Sequence, residues 1–398
     1  MVNRMKKKYG LILVSLLVLA LAGDCYADTF TNRKSGEVLH GYATHETEEG
    51  KTIVQTKEKG KLALNLAQWD IAPDYQGRNK KVIVLAIDED IMLQIETEAF
   101  EKALIESSNE GPLFILIEID TPGGRVDFAQ RICAAITELK NCRVIAYIKG
   151  GKHGGAISAG SAVSFACDKL YMAENATIGA ATMITFTKDG PKDLKTVYGD
   201  DVGEKASSYW RAYMASLAEQ NGRPGLLARA MVDKDIEAIE VIDDGKRLFI
   251  EPVNKKPDQE IAHTWSKKGS LLTLTTAEAF KSGIADKVFS SRLELLQVLN
   301  ASEAEIVIND TPQKARKELE RAVRGFKRVS KAIDLKIKES QNVTSRPRAL
   351  KILRGARDDY NSLLQLAKRY PDLNVSVHLL EESLNSVEAA YKEAKMRR

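Results

Sequence analysis

Four short runs between Lys81 and Ala173 restrict this chain most: "KVIVLAI", "LFILIEI", "RVIAYI" and "KLYMA". Each is apolar almost without interruption, whereas a strand with one wet face would alternate. Such runs suit strands buried on both faces, as in a parallel sheet covered by helices. The segments between them fit that picture. "RVDFAQRICAAITELKN" carries helical spacing through Phe128, Ile132, Ala135 and Ile136. "KGGKHGG" is a glycine-rich loop that leads into a small-residue helix from Ala156. Two successive units of strand, glycine-rich loop and helix imply an α/β architecture.

The flanks read differently. Residues 28–75 hold short strand-like runs, "GEVLHGY", "KTIVQT" and "KLALNL", split by the turn-rich "TEEGK" and "KEKGK". They predict a small β unit with no catalytic constellation. Downstream, "EKASSYWRAYMASLAEQNGRPG" predicts a helix ended by Asn221-Gly222, and Asp244-Gly245 predicts a hairpin. Thr275 and Glu278 have capping-box spacing before a helix stopped at Gly283. From Thr311-Pro312 the chain becomes charged and helical, with breaks near Arg346-Pro347 and Tyr370-Pro371 that suggest three helices. A chain of 398 residues exceeds one core, so it divides into residues 1–27, a β unit (28–75), a central domain (80–300) and a basic helical region (310–398).

Residues 1–27 read as an export signal. A basic start, "MVNRMKKKYG", precedes an apolar core, "LILVSLLVLALAG", and the small residues Cys25 and Ala27 occupy the −3 and −1 positions of a cleavage site. That core is short for a bilayer span, so cleavage after Ala27 and an exported protein are expected; an uncleaved segment would anchor the chain. Removal of Cys25 leaves Cys133, Cys142 and Cys167, an odd set best read as buried thiols, although export permits a Cys133–Cys142 bridge. No phosphate-loop or metal-ligand spacing occurs, so neither cofactor nor metal is expected. From Thr311 onward Lys and Arg exceed Asp and Glu by about ten. That excess reads as a solvated helical face, or as a contact for a membrane surface or acidic partner; nucleic acid is not expected.

Chemistry concentrates in "GGAISAGSAV", residues 154–163. A serine hydroxyl is a weak nucleophile until a neighbour takes its proton. His153 lies in the glycine loop and the other histidines are remote, so no Ser-His-Asp set offers itself for Ser158. Lysine is the alternative base, provided that burial or a nearby cation keeps it neutral. Lys205 shares helical spacing with Ser208, Tyr209, Tyr213 and Leu217, a stripe expected to face the core. Oxyanion donors are also needed. "IDTPGG" leaves a buried strand through Pro122 into Gly123 and Gly124, and Ala159 follows Ser158 near a helix start, so its amide is a second donor. Tight turns explain either glycine pair equally well when taken alone.

Together these segments resemble the NfeD-type serine proteases, relatives of the Clp protease and signal peptide peptidase A in the ClpP/crotonase superfamily. The resemblance runs from about Val82 to Leu299 and rests on "IEIDTPGGRV", "GGAISAGSAV", "MAENATIGAA", "KASSYWRAYMASLAEQNGR" and "LTLTTAEAFKSGIADKV". It implies a repeated ββα core, Ser158 as nucleophile, Lys205 as general base, and Gly124 with Ala159 as oxyanion donors. Gly123 and Ser161 would support the site, Ser161 through the lysine amine. The implied activity is an exported endopeptidase for hydrophobic or unfolded peptides, assembled as a homo-oligomer. Two other readings stay open: an inactive scaffold that binds peptides or partner proteins, and an acyl-CoA enzyme, which the export signal disfavours. Met183 stands where the family commonly has proline, and the basic tail has no counterpart in it.

Overall fold

Backbone pairing divides the described chain, residues 28–74 and 78–396 of the computed structural model, into a small antiparallel sheet, a parallel sheet covered by helices, and a helical tail. The expected export signal, with Cys25, lies outside the described residues.

The first sheet comprises β1 (Asp28–Asn32), β2 (Val38–Glu48), β3 (Lys51–Thr56), β4 (Gly60–Leu64) and β5 (Trp69–Ala72), in the order β4-β3-β2-β1-β5. β2, β3 and β4 are the expected strand-like runs; β1 and β5 were not expected. Phe30, Leu39, Val54 and Trp69 form its core. A core so small needs outside support. Buried Arg78 supplies it: its guanidinium donates to Asp28 Oδ2 and to Asn141 O, each at 2.6 Å.

The central domain runs β6 (Asn79–Ile87), α1 (Gln94–Asn109), β7 (Pro112–Ile119), α2 (Val126–Glu138), β8 (Val144–Ile148), β9 (Gly155–Ile157), α3 (Ala159–Ala166), β10 (Lys169–Ala173) and β11 (Thr177–Gly179). A hairpin of β12 (Ile184–Thr187) and β13 (Gly190–Asp193) leads into α4 (Leu194–Gln220) and α5 (Gly225–Val232). A three-stranded antiparallel sheet follows, β14 (Ala238–Asp243), β15 (Lys246–Ile250) and β16 (Glu260–Ser266). The domain closes with β17 (Thr273–Thr275), α6 (Thr276–Ser282), β18 (Lys287–Phe289), α7 (Arg292–Val298) and β19 (Glu305–Ile308). The capping box at Thr275 and Glu278 and the left-handed Gly283 are both present.

The four apolar runs are β6, β7, β8 and β10, and they pair in parallel within the order β18-β10-β8-β7-β6-β19. Every residue of β7 is buried, which accounts for its lack of alternation. One face packs on α1, α2 and α3 through Phe100, Phe128, Ile132 and Phe165. The other packs on Leu295 and Leu296 of α7. Between each strand and its helix the chain makes a second, short pairing. Ile91, after β6, bridges Gly124, after β7; Thr121 bridges Ala156 of β9; and β9 pairs with β11. The core is therefore a repeated ββα arrangement.

Two boundaries differ from expectation. β19 pairs with β6, so the parallel sheet extends past residue 300 to Ile308; four residues at a sheet edge lie among charged ones and leave little pattern. α4 starts at Leu194, ten residues before the expected helix, and breaks at Gly199, where φ is 78°. Cys133, Cys142 and Cys167 are free and buried, and no Cys133–Cys142 bridge forms. Burial pushes the thiols of Cys133 and Cys142 up to about 12.

The tail folds as α8 (Thr311–Asn342), α9 (Arg346–Arg369) and α10 (Val377–Met396). Leu319, Ala322 and Tyr370 pack against Leu93 and Ile95 at the start of α1. No helix among the described residues is long and apolar enough to cross a membrane. Replacing Arg78 leaves Asp28 buried without its partner. Arg78→Ala should therefore lower unfolding free energy by about 3 kcal/mol, read as a shifted midpoint in urea.

Candidate active site

Ser158 is held in a backbone conformation that L-residues seldom adopt. Its φ is 55° and ψ −119°, at the N-cap of α3, and its amide donates to Gly179 O at 2.8 Å. Such strain persists only where neighbours over-determine it. Here the neighbours are backbone: Ile157 donates to Thr121 O at 3.1 Å, and Ser161 N donates to Ser158 O at 2.9 Å. The side chain, half-buried, is left facing the "TPGG" loop. A Cβ on Gly123 would lie 2.5 Å from Ser158 Cβ and 3.0 Å from its Oγ, so that close approach requires glycine.

The two glycines differ in what their amides do. Gly123 N–H donates to Thr121 Oγ1 at 3.1 Å. Gly124 N–H makes no hydrogen bond to a described residue, and neither does Ala159 N–H at the first turn of α3. Free amides at a helix N-terminus suit a developing oxyanion. Ser161 is fully buried, with Oγ 2.8 Å from Ala156 O and accepting Gly179 N–H at 3.0 Å. Its hydroxyl is thus committed to the backbone around Ser158 and is not free for a lysine amine.

Lys205 departs from its expected place. The buried face of α4 runs through Ser207, Trp210, Met214, Leu217 and Ala218, while Lys205, Ser208 and Tyr209 are exposed. Trp210 decides the register, because its fully buried indole donates to Ala181 O at 3.0 Å. Of the expected stripe, only Leu217 is fully inside; Tyr213 is half-buried. The Lys205 side chain points outward and makes no hydrogen bond or ion pair with a described residue. Its neighbour Glu204 is engaged instead, accepting from Arg211 at 2.5 Å and Lys195 at 2.6 Å. The Arg211 hydrogen bond, then that of Lys195, holds the Glu204 carboxyl down at about 2.

Two residues of "IDTPGG" matter that the sequence reading passed over for the glycines. Buried Asp120 accepts from the amides of His153 at 3.2 Å and Gly155 at 3.1 Å, which shapes the "KGGKHGG" loop. Thr121, with no exposed surface, joins three loops: its hydroxyl donates to Glu89 O at 2.7 Å, and its amide donates to Gly155 O at 2.8 Å. Polar residues directly after a buried, largely apolar strand were the available signal. Among the described residues no set of His, Cys, Asp and Glu converges as a metal site.

Thr121→Val keeps the shape but leaves Glu89 O and Gly123 N–H unpaired. We expect a loss of about 2 kcal/mol, measured by chemical denaturation. Glu204 has a depressed folded pKa, so its contribution is present above about 4.5 and fades as pH falls toward about 2. Glu204→Gln should lower Tm at neutral pH by about 1–3 °C. Melting curves should show that gap closing between pH 4.5 and 2.

Residues 81–257 match the family model for the NfeD1b N-terminal domain. The chain is 30% identical over 192 residues to membrane protein NfeD1b of Bacillus subtilis, covering 48% of this chain and 35% of that one. It is 24% identical over 230 residues to the membrane-bound protease PH1510 of Pyrococcus horikoshii, covering 58% and 42% respectively. Thus it spans less than half the length of either relative. Among solved structures, a serine-to-alanine mutant of the 1510-N membrane-bound stomatin-specific protease aligns with TM-score 0.43 and 23% identity, over 58% of this chain and 98% of that one. Residues 81–257, most of the central domain, thus carry the sequence pattern of an NfeD1b N-terminal domain.

Proposed function

We propose that this protein is an exported serine endopeptidase in which Ser158 attacks the scissile carbonyl. Neutral Lys205 takes the hydroxyl proton and returns it to the leaving amine. The amides of Gly124 and Ala159 receive the oxyanion. The observation that carries this reading is Ser158 itself: a strained serine at a helix N-terminus, against Gly123, with two uncommitted amides beside it. Packing alone calls for none of those three features. Sequence similarity to a membrane-bound protease adds to it.

The base is the demanding part. Lys205 is exposed on α4 beside Val202 and Tyr209, themselves about 60% exposed. An apolar surface of this kind suits a hydrophobic or unfolded peptide, or a second copy of the chain. Either would cover Lys205 and, by removing water, favour its neutral form. We therefore read substrate binding or homo-oligomerisation as the step that completes the dyad. A separate surface is basic: Lys317, Arg321, Arg324, Lys327 and Arg328 are exposed along α8, suited to an anionic membrane surface or acidic partner.

The outward Lys205 also favours a second reading, an inactive scaffold that binds peptides through the same surface. The two separate in one assay. Residues 28–398 are tested on unfolded casein and hydrophobic peptides beside folded Ser158→Ala and Lys205→Ala variants. The protease reading expects cleavage by the parent and a loss of at least about 10³-fold in each variant. Unchanged activity in either removes that residue's role. Binding without cleavage across pH establishes the scaffold.

A further inference from the structure

Helix α1 begins without a cap of its own. Leu93 occupies the N-cap, and its side chain accepts no hydrogen bond. The first amides of a helix need acceptors. Here they find one in the tail: Gln94 N–H donates to Asp372 Oδ1 at 2.7 Å and Ile95 N–H to Asp372 Oδ2 at 2.9 Å. A carboxylate on two N-terminal amides acts as an N-cap and meets the positive end of the helix dipole. Asp372 lies in the short turn Pro371–Leu373, between α9 and α10.

A second tie comes from α8. Arg316 donates to Asp90 O at 2.6 Å, to Asp90 Oδ1 at 2.9 Å and to Glu96 Oε2 at 2.8 Å. Arg316 and Asp372 therefore grip both ends of a segment only seven residues long, 90–96. Ile91 sits inside it. Its amide donates to Gly123 O, and its carbonyl accepts from Arg125 N, both at 2.9 Å. Gly124 is threaded between those bonds so closely that a Cβ there would lie 2.3 Å from Ile91 O. The chain of contacts is short: tail, Ile91, then the loop whose Gly123 packs against the strained serine.

We propose that the C-terminal helices brace the Gly123-Gly124 loop, with Asp372 as a positioning residue that sets the oxyanion geometry from outside the central domain. This rests on the hydrolase reading of Ser158 for its catalytic consequence. It assigns residues 311–398 a role inside the reaction, and makes docking of the tail a condition for activity. Without the Asp372 cap, α1 starts with two unpaired amides and frays at its first turn. Ile91 then loses its fixed register against Gly124.

The test compares residues 28–398 with Asp372→Ala, Asp372→Asn and, as a control in the tail, Lys336→Ala, which removes an ion pair between α8 and α9. Three quantities are read: hydrogen exchange at the Ile91 and Arg125 amides, the rate of Ser158 labelling by a fluorophosphonate, and kcat and KM on casein-derived peptide. Asp372→Ala should speed exchange at both amides about tenfold. Labelling and kcat should each fall about tenfold, with KM within twofold. Asp372→Asn, which keeps an acceptor, should recover part of each, and it carries the comparison if the alanine variant does not fold. Lys336→Ala should leave all three unchanged. Exchange and labelling within twofold of the parent in Asp372→Ala, or the same changes in Lys336→Ala, overturns the brace. If the parent neither labels nor cleaves, the hydrolase reading falls. Exchange at Ile91 and Arg125 still decides whether the tail holds the loop.

Discussion

Thr121 is the point on which the candidate site depends. It is one residue beyond Asp120 at the end of a fully buried strand, and four of its hydrogen bonds reach three different loops. Its amide and carbonyl clamp β9 through Gly155 and Ile157, and its hydroxyl ties Glu89 to Gly123. Because the residue has no exposed surface, each of those bonds is made where an unpaired group would be costly. The strain at Ser158 is held by the backbone on either side of it, and β9, clamped by Thr121, is one of those sides.

The same logic of short second pairings extends outward. Ile91 holds Gly124, Thr121 holds Ala156, and β9 pairs with β11, so loops that follow different strands form one backbone ladder. Parallel sheets expose their strand ends on one edge, where ligands commonly bind. Here that edge is stiffened by hydrogen bonds between loops, and the side chains that line it are small. Gly155 illustrates the packing cost: a Cβ there would run into the backbone carbonyl of Thr177. The abundance of Gly and Ala around Ser158 is thus a consequence of backbone approaching backbone.

The two flanking regions are attached by ionic contacts of different character. The β unit joins through Asp28 and Arg78, both buried, so that attachment is intolerant of losing one partner. The tail joins through Arg316 and Asp372, which act on backbone groups of the segment before α1 and of its first turn as well as on side chains. The first connection fixes a module in place. The second reaches the loop next to Ser158, which makes the tail relevant to chemistry.

Much of this was legible in the residues. Nearly unbroken apolar runs of strand length identified β6, β7, β8 and β10 as doubly buried, since a strand with one wet face would alternate. Local signals also held, such as the capping box at Thr275 and the turn at Asp244-Gly245, because their causes lie within four residues. Glycine pairs and the Ser-Ala-Gly step at residues 158–160 pointed to Ser158 and the loop that meets it. What only the tertiary structure decided is the outcome of competition or of distance. Trp210 outweighed the Tyr209 and Tyr213 stripe and turned Lys205 outward, because burying an indole and satisfying its N–H needs a particular face. Spacing cannot choose between overlapping stripes. β19 took the sheet edge, and Asp372 capped a helix that begins 278 residues before it, because an open edge and a free amide accept partners from anywhere in the chain.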